Sequence, residues 1–292
     1  MLVVSQIING LQLGSIYALV ALGYSMVYGI IKLLNFAHGD IIMAGGYVAL
    51  FALTFGMDPI TAGLLTVAGC TILAVVIEKL AYTPLRNAPR LSLLITAIGV
   101  SILLQNLAQY FFSASGRSFP ASLVMPLYSI NIGGVNVAYS SIATIVVAIV
   151  SMILLHILVR NSKMGKAMRA VSQDAGAAQL MGVNVNHVIT FTFAIGAALA
   201  GVGALLYAVR FPLISPTIGA MLGLKAFVAA VFGGIGSIPG AMLGGFTIGM
   251  LEVMVVAAGL SGWVDGVVFL ILIIMLMVRP TGIMGRKIVE KV

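Results

Sequence analysis

Residues 142–155 of this chain read IATIVVAIVSMILL, and residues 267–278 read VVFLILIIMLMV. Both stretches are apolar on every side, which is typical of a helix enclosed by lipid or by protein and not of a helix with one solvated face. Similar apolar runs of about 20 residues, long enough to cross the ~30 Å hydrocarbon layer as a helix, recur along the whole sequence. The pattern therefore predicts a protein embedded in a membrane from end to end.

The composition agrees with that prediction. The chain has 292 residues, of which 61% are hydrophobic and only 8% are charged, whereas soluble domains carry roughly 25% charged residues. A β-barrel is the other architecture that pairs all backbone groups in lipid, but its strands would alternate apolar and polar residues. We therefore predict an all-α, polytopic transmembrane helical bundle. The first apolar run has no basic residue before Lys32, unlike a cleavable signal peptide, so it is expected to remain as a span.

The apolar runs predict nine spans, some of which could be broken or re-entrant and so reduce the count to eight. They lie at about 6–32, 40–55, 60–78, 91–112, 137–159, 188–209, 217–235, 240–258 and 263–278. Two similar segments, 43–47 and 242–246, each open a span after a glycine-rich turn. They could mark two repeated halves or arise by chance in a chain with 34 glycines.

The basic residues predict the orientation of the chain, because Lys and Arg concentrate in cytoplasmic loops. Alternating the nine spans places the amino terminus in the periplasm and the carboxyl terminus in the cytoplasm, and leaves only Arg117 and Arg210 outside and Lys225 within a span. The other basic residues then lie inside: Lys32, Lys79, Arg86, Arg90, Arg160, Lys163, Lys166, Arg169, Arg279, Arg286, Lys287 and Lys291. The net charge of +8 is thus explained by membrane orientation, and no nucleic-acid partner is expected.

The predicted cytoplasmic loop at about 160–187 is the most informative segment. Ser162 is placed to cap a basic amphipathic helix that has Met164, Met168 and Val171 on one face. A short alanine-rich helix follows and is expected to stop at Gly182. Such a segment could rest on anionic lipid headgroups, or its small flat Ala177-Ala178 surface could dock a cytoplasmic protein.

Several stretches resemble known transport proteins. Ala177-Ala178-x-x-x-Gly182 resembles the EAA coupling loop of ABC importer permeases, where the ATPase contacts the membrane domain, although Gly176 stands at the position of the acidic residue. Residues 9–19, 35–40, 168–182 and 233–240 are similar to signatures of the LivH-type branched-chain amino acid permeases. The similarity covers nearly the full chain in order.

This resemblance implies a single ABC importer transmembrane domain over residues 1–292 in a bacterial inner membrane. It implies a second homologous permease subunit, two cytoplasmic ATPase subunits and a periplasmic solute-binding protein docked chiefly on loop 113–136. The implied ATPase-coupling residues are Met168, Arg169, Gln173, Asp174, Ala177, Ala178 and Gly182. The sequence has no Gly-x-x-x-x-Gly-Lys-Ser/Thr motif, so ATP hydrolysis is expected on separate subunits.

Polar residues inside the spans are candidates for function. Lys225 and Glu252 fall at similar depths on neighbouring antiparallel spans, which predicts an ion pair that could be structural or could take part in solute passage. Ser101, Gln105 and Gln109, with Asn106 beside them, form a polar stripe in the outer half of one span. This stripe could bond a neighbouring helix or line the substrate pathway.

Asn35, His38 and Asp40 occur where the first span turns into the second, which the sequence places near the cytoplasmic face. They could satisfy backbone groups at a helix start or form a cytoplasmic gate.

Catalysis is not expected. Ser237 is followed by Ile-Pro, unlike a nucleophile elbow, and no metal-ligand cluster or cofactor motif is present in the sequence. The remaining alternatives are a self-contained ion-coupled carrier or channel, and a purely structural assembly subunit.

Overall fold

The structure is a computed structural model that describes residues 2–86, 88–126, 128–132 and 135–285. It is a helical bundle, as the sequence predicts. Its helices are α1 (Leu2–Ile31), α2 (His38–Thr54), α3 (Pro59–Ile77), α4 (Arg90–Phe112), α5 (Ala121–Val124), α6 (Tyr139–Asn161), α7 (Lys163–Gln173), α8 (Ala175–Leu180), α9 (Val185–Arg210), α10 (Ile218–Gly233), α11 (Ile238–Ala257) and α12 (Val264–Val278). A π-helical turn (Glu78–Tyr82) and a 3₁₀ turn (Thr83–Leu85) extend α3.

Each predicted span corresponds to a helix whose ends differ by a few residues. In the described part of the chain, seven helices are long and apolar enough to cross a membrane, while α2 and α10 are apolar but have only 17 and 16 residues. At 1.5 Å per residue these two reach about 25 Å, less than the hydrocarbon layer. The basic residues Arg286, Lys287 and Lys291 of the predicted cytoplasmic tail lie outside the described residues.

Helix starts follow local sequence signals. The Asp58 side chain accepts hydrogen bonds from the backbone nitrogens of Ile60 and Thr61, and Pro59 occupies the first turn of α3. Ser237 accepts from the nitrogen of Gly240 at the start of α11, which also carries a proline in its first turn. Side-chain caps followed by proline are typical helix openings, because proline needs no backbone partner there.

Small residues hold α1 and α11 together over most of their length. A Cβ added at Gly14 would lie 2.7 Å from Phe246 Cα, and one added at Gly245 would lie 2.3 Å from Ala18 Cα. Gly10 lies against Met250 and Gly29 lies against Gly236, so the two helices run antiparallel. Close backbone approach of this kind stabilises helix pairs in lipid, where apolar burial alone does not.

The same arrangement of three helices occurs twice, in opposite directions. The long helices α1 and α9 cross antiparallel, with Gly23 packed on Gly196. The short helix α2 and the long helix α3 follow α1, and the short helix α10 and the long helix α11 follow α9. α1 packs on α11, and α9 packs on α3. An inverted repeat of this kind is common in transporters. It relates α2 to α10, so the similarity of segments 43–47 and 242–246, which relates α2 to α11, does not mark the repeat.

The first turns of the two short helices meet inside the bundle. A Cβ at Gly39 would lie 2.1 Å from the Gly219 carbonyl oxygen, and a Cβ at Gly223 would lie 3.0 Å from Gly39 Cα. The irregular residues that precede α2 are themselves enclosed, with Leu33, Asn35 and Ala37 all buried. Non-helical backbone at this depth is tolerated because protein surrounds it.

The remaining helices lie at the periphery. Only 11% of the apolar stretch of α4 is buried inside the described chain, and the share is the same for α12. For α6 the buried share is 22%. The link between α4 and α6 contains the short strands β1 (Arg117–Ser118), β2 (Ser129–Ile132) and β3 (Val135–Ala138). β2 pairs with β3, whereas β1 pairs with β4 (Leu213–Ile214), which lies between α9 and α10. Both pairs are antiparallel ribbons at the end of the bundle opposite α7 and α8.

Candidate functional site

Helices α7 and α8 form the predicted coupling segment, here defined as residues 162–184. Ser162 Oγ accepts a hydrogen bond from the nitrogen of Gly165 at 2.9 Å, and Asp174 Oδ1 accepts from that of Ala177 at 2.9 Å. Gly182 has a φ of +82° where α8 ends, a conformation that favours glycine. Asn184 Oδ1 then accepts from the nitrogen of His187 and caps α9. The local sequence thus determines the start and stop of both short helices.

The coupling segment has an inner and an outer face. Met168, Val171 and Ala178 are 1%, 4% and 5% exposed and pack on the bundle. The other predicted coupling residues Gln173, Asp174, Ala177 and Gly182 are exposed. Met168 therefore anchors the segment and does not lie on the surface that a partner could touch.

Two apolar side chains that the sequence reasoning missed lie on the outer face. Leu180 is 90% exposed and Met181 is 84% exposed, next to the exposed Ala177. An exposed apolar patch rimmed by polar residues is typical of a protein contact. The signal in the sequence was the pair Leu-Met directly before the glycine that ends the helix.

Arg169 does not contribute to that patch. Its guanidinium donates hydrogen bonds to the carbonyl oxygens of Val159 and, at 3.2 Å, Arg160. These carbonyls end α6 and have no partner within their own helix, so Arg169 ties α7 to the end of a membrane span.

Glu78, at the end of α3, connects this helix to the start of α9, directly after the coupling segment. Its side chain is fully buried and forms an ion pair with Arg86, and it accepts a hydrogen bond from Thr190 Oγ1 of α9 at 2.9 Å. Arg86 also donates to Asn186 in the first turn of α9. Glu78, Arg86 and Asn186 line a cavity of about 890 Å³, together with coupling-segment residues that include Gln173 and Gln179.

One predicted gate residue, Asp40, meets two of the predicted pathway residues, Ser101 and Gln105. Asp40 is fully buried and accepts hydrogen bonds from Ser101 Oγ at 2.5 Å and from Gln105 Nε2 at 3.0 Å. Ser101 is the middle residue of α4, so Asp40 lies at mid-depth of that span. The prediction that Asp40 lies near the cytoplasmic face is therefore wrong, because α2 begins within the bundle and not at its edge.

Among the residues that the structure describes, the rest of the polar stripe on α4 has no such partner. Asn106 is exposed and donates to the carbonyl of Ile102 in its own helix. Gln109 is half-buried near the end of α4. The stripe thus divides into an inner pair bonded to α2 and an outer pair on the surface of the described chain.

Asn35 and His38 are buried beside the junction of α1 and α2. Asn35 Oδ1 accepts a hydrogen bond from the Tyr82 hydroxyl at 2.7 Å. The His38 ring meets Tyr24 edge to face, with 4.9 Å between the ring centroids, and fills the space beside Gly23. In the described chain, His38 Nε2 and Asn35 Nδ2 have no hydrogen-bond partner.

Lys225 and Glu252 lie together at the opposite end of the bundle. Lys225 Nζ is 3.0 Å from Glu252 Oε1 and 2.7 Å from Asp265 Oδ1. The Tyr17 hydroxyl donates to Glu252 at 3.0–3.1 Å. Asp265, in the first turn of α12, and Tyr17 were not predicted, because nothing in one sequence indicates that their helices contact α10 and α11.

Lys225 and Glu252 line a second cavity, of about 550 Å³, between the ends of α1, α9, α10 and α11. Its polar lining comprises Gln6, Asn9, Tyr17, Tyr207, Arg210, Lys225 and Glu252. Its apolar lining comprises Leu13, Phe211, Met221, Leu222, Val253 and Val256. We call it the outer cavity. No group of three or more His, Cys, Asp or Glu side chains that could hold a metal ion occurs among the described residues.

A bundle built on an inverted repeat, with broken helices at its centre and a charged cavity at each end, has the construction of a membrane permease. The sequence model of the family described as "Branched-chain amino acid transport system / permease component" matches residues 6–277. The chain belongs to this permease family.

Similar proteins agree with that assignment. The chain is 43% identical over 300 residues to the high-affinity branched-chain amino acid transport system permease protein BraD of Pseudomonas aeruginosa, covering 98% of this chain and 97% of BraD. It is 43% identical over 302 residues to LivH of Escherichia coli, with the same coverage. A probable branched-chain amino acid transport permease protein, LivH of Methanocaldococcus jannaschii, is 31% identical over 291 residues, which cover 93% of this chain and 89% of that protein.

Proposed function

We propose that the chain is the membrane-spanning permease subunit of an ATP-driven ABC importer for branched-chain or other small hydrophobic amino acids. The observation that carries the proposal is the outer face of the coupling segment, where Leu180 and Met181 are exposed beside Ala177. This patch lies on short helices anchored to the bundle by Met168 and Arg169, so a partner that pulls on it also pulls on the spans. The substrate class is supported by the names of the relatives.

The proposed partners are two cytoplasmic ATPase subunits, a second homologous permease subunit and a periplasmic solute-binding protein. The ATPases hydrolyse ATP, and this chain forms one transmembrane domain over residues 1–292 in the bacterial inner membrane. With the coupling segment in the cytoplasm, the amino terminus lies in the periplasm. The ribbons β1–β4 and β2–β3 then face the periplasm and are available to the binding protein.

The coupling movement reaches the spans through Glu78. Docking at α8 displaces the start of α9, where Asn186 and Thr190 hold Arg86 and Glu78. Because Glu78 ends α3 and α3 packs on α9, the two helices move together. The hydrogen bonds from Ser101 and Gln105 to Asp40 join α2 to α4 and act as a latch that this movement opens. Asn35 and His38 lie at the hinge before α2. Asn106 and Gln109 continue the polar surface of the pathway.

The proposal is tested by uptake of radiolabelled leucine into proteoliposomes that hold the complete transporter. Uptake is expected only with ATP and with the ATPase subunits. Leu180→Ser is expected to abolish ATP-dependent uptake and ATPase binding, because it removes the apolar contact without unfolding an exposed position. Leu80→Ser is the matched control, since Leu80 is also a large exposed residue, at 74%, outside the coupling segment. Gradient-driven uptake by this chain without ATPases would instead identify an ion-coupled carrier and sink the proposal.

A further inference from the structure

We infer that the outer cavity binds the amino-acid substrate as a zwitterion, with Arg210 on the α-carboxylate, Glu252 on the α-ammonium and the apolar wall on an aliphatic side chain. This inference rests on the proposed function and names the site where the solute is first held. A volume of about 550 Å³ falls within the usual range for small-molecule sites, ~300–1,000 Å³.

The charges of the cavity are incompletely paired. Lys225 is neutralised from two sides, by Glu252 at 3.0 Å and by Asp265 at 2.7 Å. Arg210, by contrast, has no carboxylate within ion-pairing distance in the described part of the chain, and its buried Nε has no hydrogen-bond partner there. A buried donor without an acceptor is costly. A guanidinium in that state fits a carboxylate, which it can bind through two parallel hydrogen bonds.

Glu252 supplies the opposite charge. Its carboxylate is 6% exposed and accepts hydrogen bonds from Tyr17 and Lys225. A carboxylate has about four lone-pair positions, so a ligand ammonium can join these two donors. Arg210, which lies over the Phe211 ring but has no carboxylate partner in the described chain, and the shared carboxylate of Glu252 match the two charges of a zwitterion and do not match a simple cation or anion.

The rest of the lining matches an aliphatic side chain. Leu13 and Leu222 are buried at the cavity wall, and Val253 and Val256 lie beside Glu252 on α11. Apolar walls with a few convergent polar groups are the usual composition of a ligand site. A sugar, with hydroxyls on every side, would leave its polar groups unpaired against this wall.

The position of the cavity fits the direction of import. Arg210 ends α9, and the coupling segment lies at the start of the same 26-residue helix, about 39 Å away at 1.5 Å per residue. The cavity is therefore at the membrane face opposite the proposed ATPase contact, where an importer receives its solute.

The test measures radiolabelled leucine binding to the full-length chain in lipid nanodiscs, with two competitors. Leucinamide lacks the carboxylate, and 4-methylpentanoate lacks the ammonium. We expect each to compete at least about tenfold more weakly than leucine, because each loses one charge-assisted contact. In Arg210→Gln, the affinity for leucine is expected to fall by about tenfold or more while the affinity for leucinamide is unchanged. The difference in affinity between the two ligands then disappears. Arg210→Lys should retain part of the preference for leucine.

Arg279→Gln is the matched control, because Arg279 is an exposed arginine that lies outside the cavity and outside the segments proposed to bind partners. It should bind leucine as the parent chain does. Absence of saturable leucine binding, or an equal loss for leucine and leucinamide in Arg210→Gln, overturns the inference. ATP-driven uptake by the complete transporter is measured in parallel. Uptake by the complete transporter without leucine binding at this cavity would contradict the proposed site alone. Absence of uptake would contradict the proposed function.

Discussion

The carbonyl oxygen of Gly219 occupies the place that a side chain at Gly39 would take, since an added Cβ would lie 2.1 Å from it. The two glycines open α2 and α10, the short helices of the inverted repeat. Their contact joins α2 and α10 inside the bundle. It also makes the packing of this region sensitive to a single methyl group.

Gly39→Ala is therefore expected to lower the free energy of unfolding by about 1–3 kcal/mol, because the neighbouring atom is backbone and cannot rotate away. Unfolding of the purified chain in an SDS titration measures the change. Gly99→Ala is the matched control, because a Cβ at Gly99 meets no atom within 4 Å in the described chain. A Gly39→Ala protein as stable as Gly99→Ala would contradict the close contact of α2 and α10.

Asp40→Ala is expected to lower stability by about 1–3 kcal/mol, because it leaves the buried donors of Ser101 and Gln105 without their acceptor. Asn106→Ala should change stability by less than about 0.5 kcal/mol, since Asn106 is exposed. If Asp40 and Gln105 interact as described, the loss in the double variant Asp40→Ala/Gln105→Ala will be smaller than the sum of the single losses. Additive losses would show that the two side chains are independent.

Glu78→Gln and Lys79→Ala test the network at the end of α3. Loss of a buried carboxylate that pairs with an arginine costs on the order of 3 kcal/mol, so Glu78→Gln should unfold much more readily than the parent chain. Lys79 is half-exposed and 3.6 Å from the same carboxylate, and exposed pairs contribute ~0–1 kcal/mol. Lys79→Ala should thus be nearly neutral. Similar losses in the two variants would count against the central position of Glu78.

The proposed orientation predicts which face each loop occupies. Ser115→Cys, in an exposed loop position, should react with a membrane-impermeant maleimide in intact cells. Leu180→Cys should react only after the inner membrane is permeabilised. The native Cys70 is buried, so the parent chain gives a low background. The reverse labelling pattern would place the amino terminus in the cytoplasm.

The spans and the caps could be predicted from the sequence because their signals are local. Apolar runs predicted the nine described helices that correspond to spans, and Ser162 and Gly182 marked where the short helices of the coupling segment begin and end. The depth of α2 could not be predicted in this way. Span assignment assumes that each turn lies at a membrane face, whereas α2 begins at mid-depth, where α10 packs on Gly39 and α4 bonds Asp40.

The partners of the charged residues show the same limit. Lys225 and Glu252 could be paired by depth, since their helices are consecutive. Tyr17 and Arg210 join the same cavity from α1 and α9, and Asp265 of α12 pairs with Lys225. Arg210 was predicted only as a basic residue of an outer loop, because a single sequence does not indicate which side chains lack a partner.

The glycine contacts between α1 and α11 limit how the protein can move. Backbone atoms that touch at Gly14, Ala18 and Gly245 leave no layer of side chains that could slide or re-pack. We expect these two helices to behave as one rigid body during a transport cycle. We expect the displacement to be absorbed by residues 32–37 and 211–217, the non-helical links before α2 and α10.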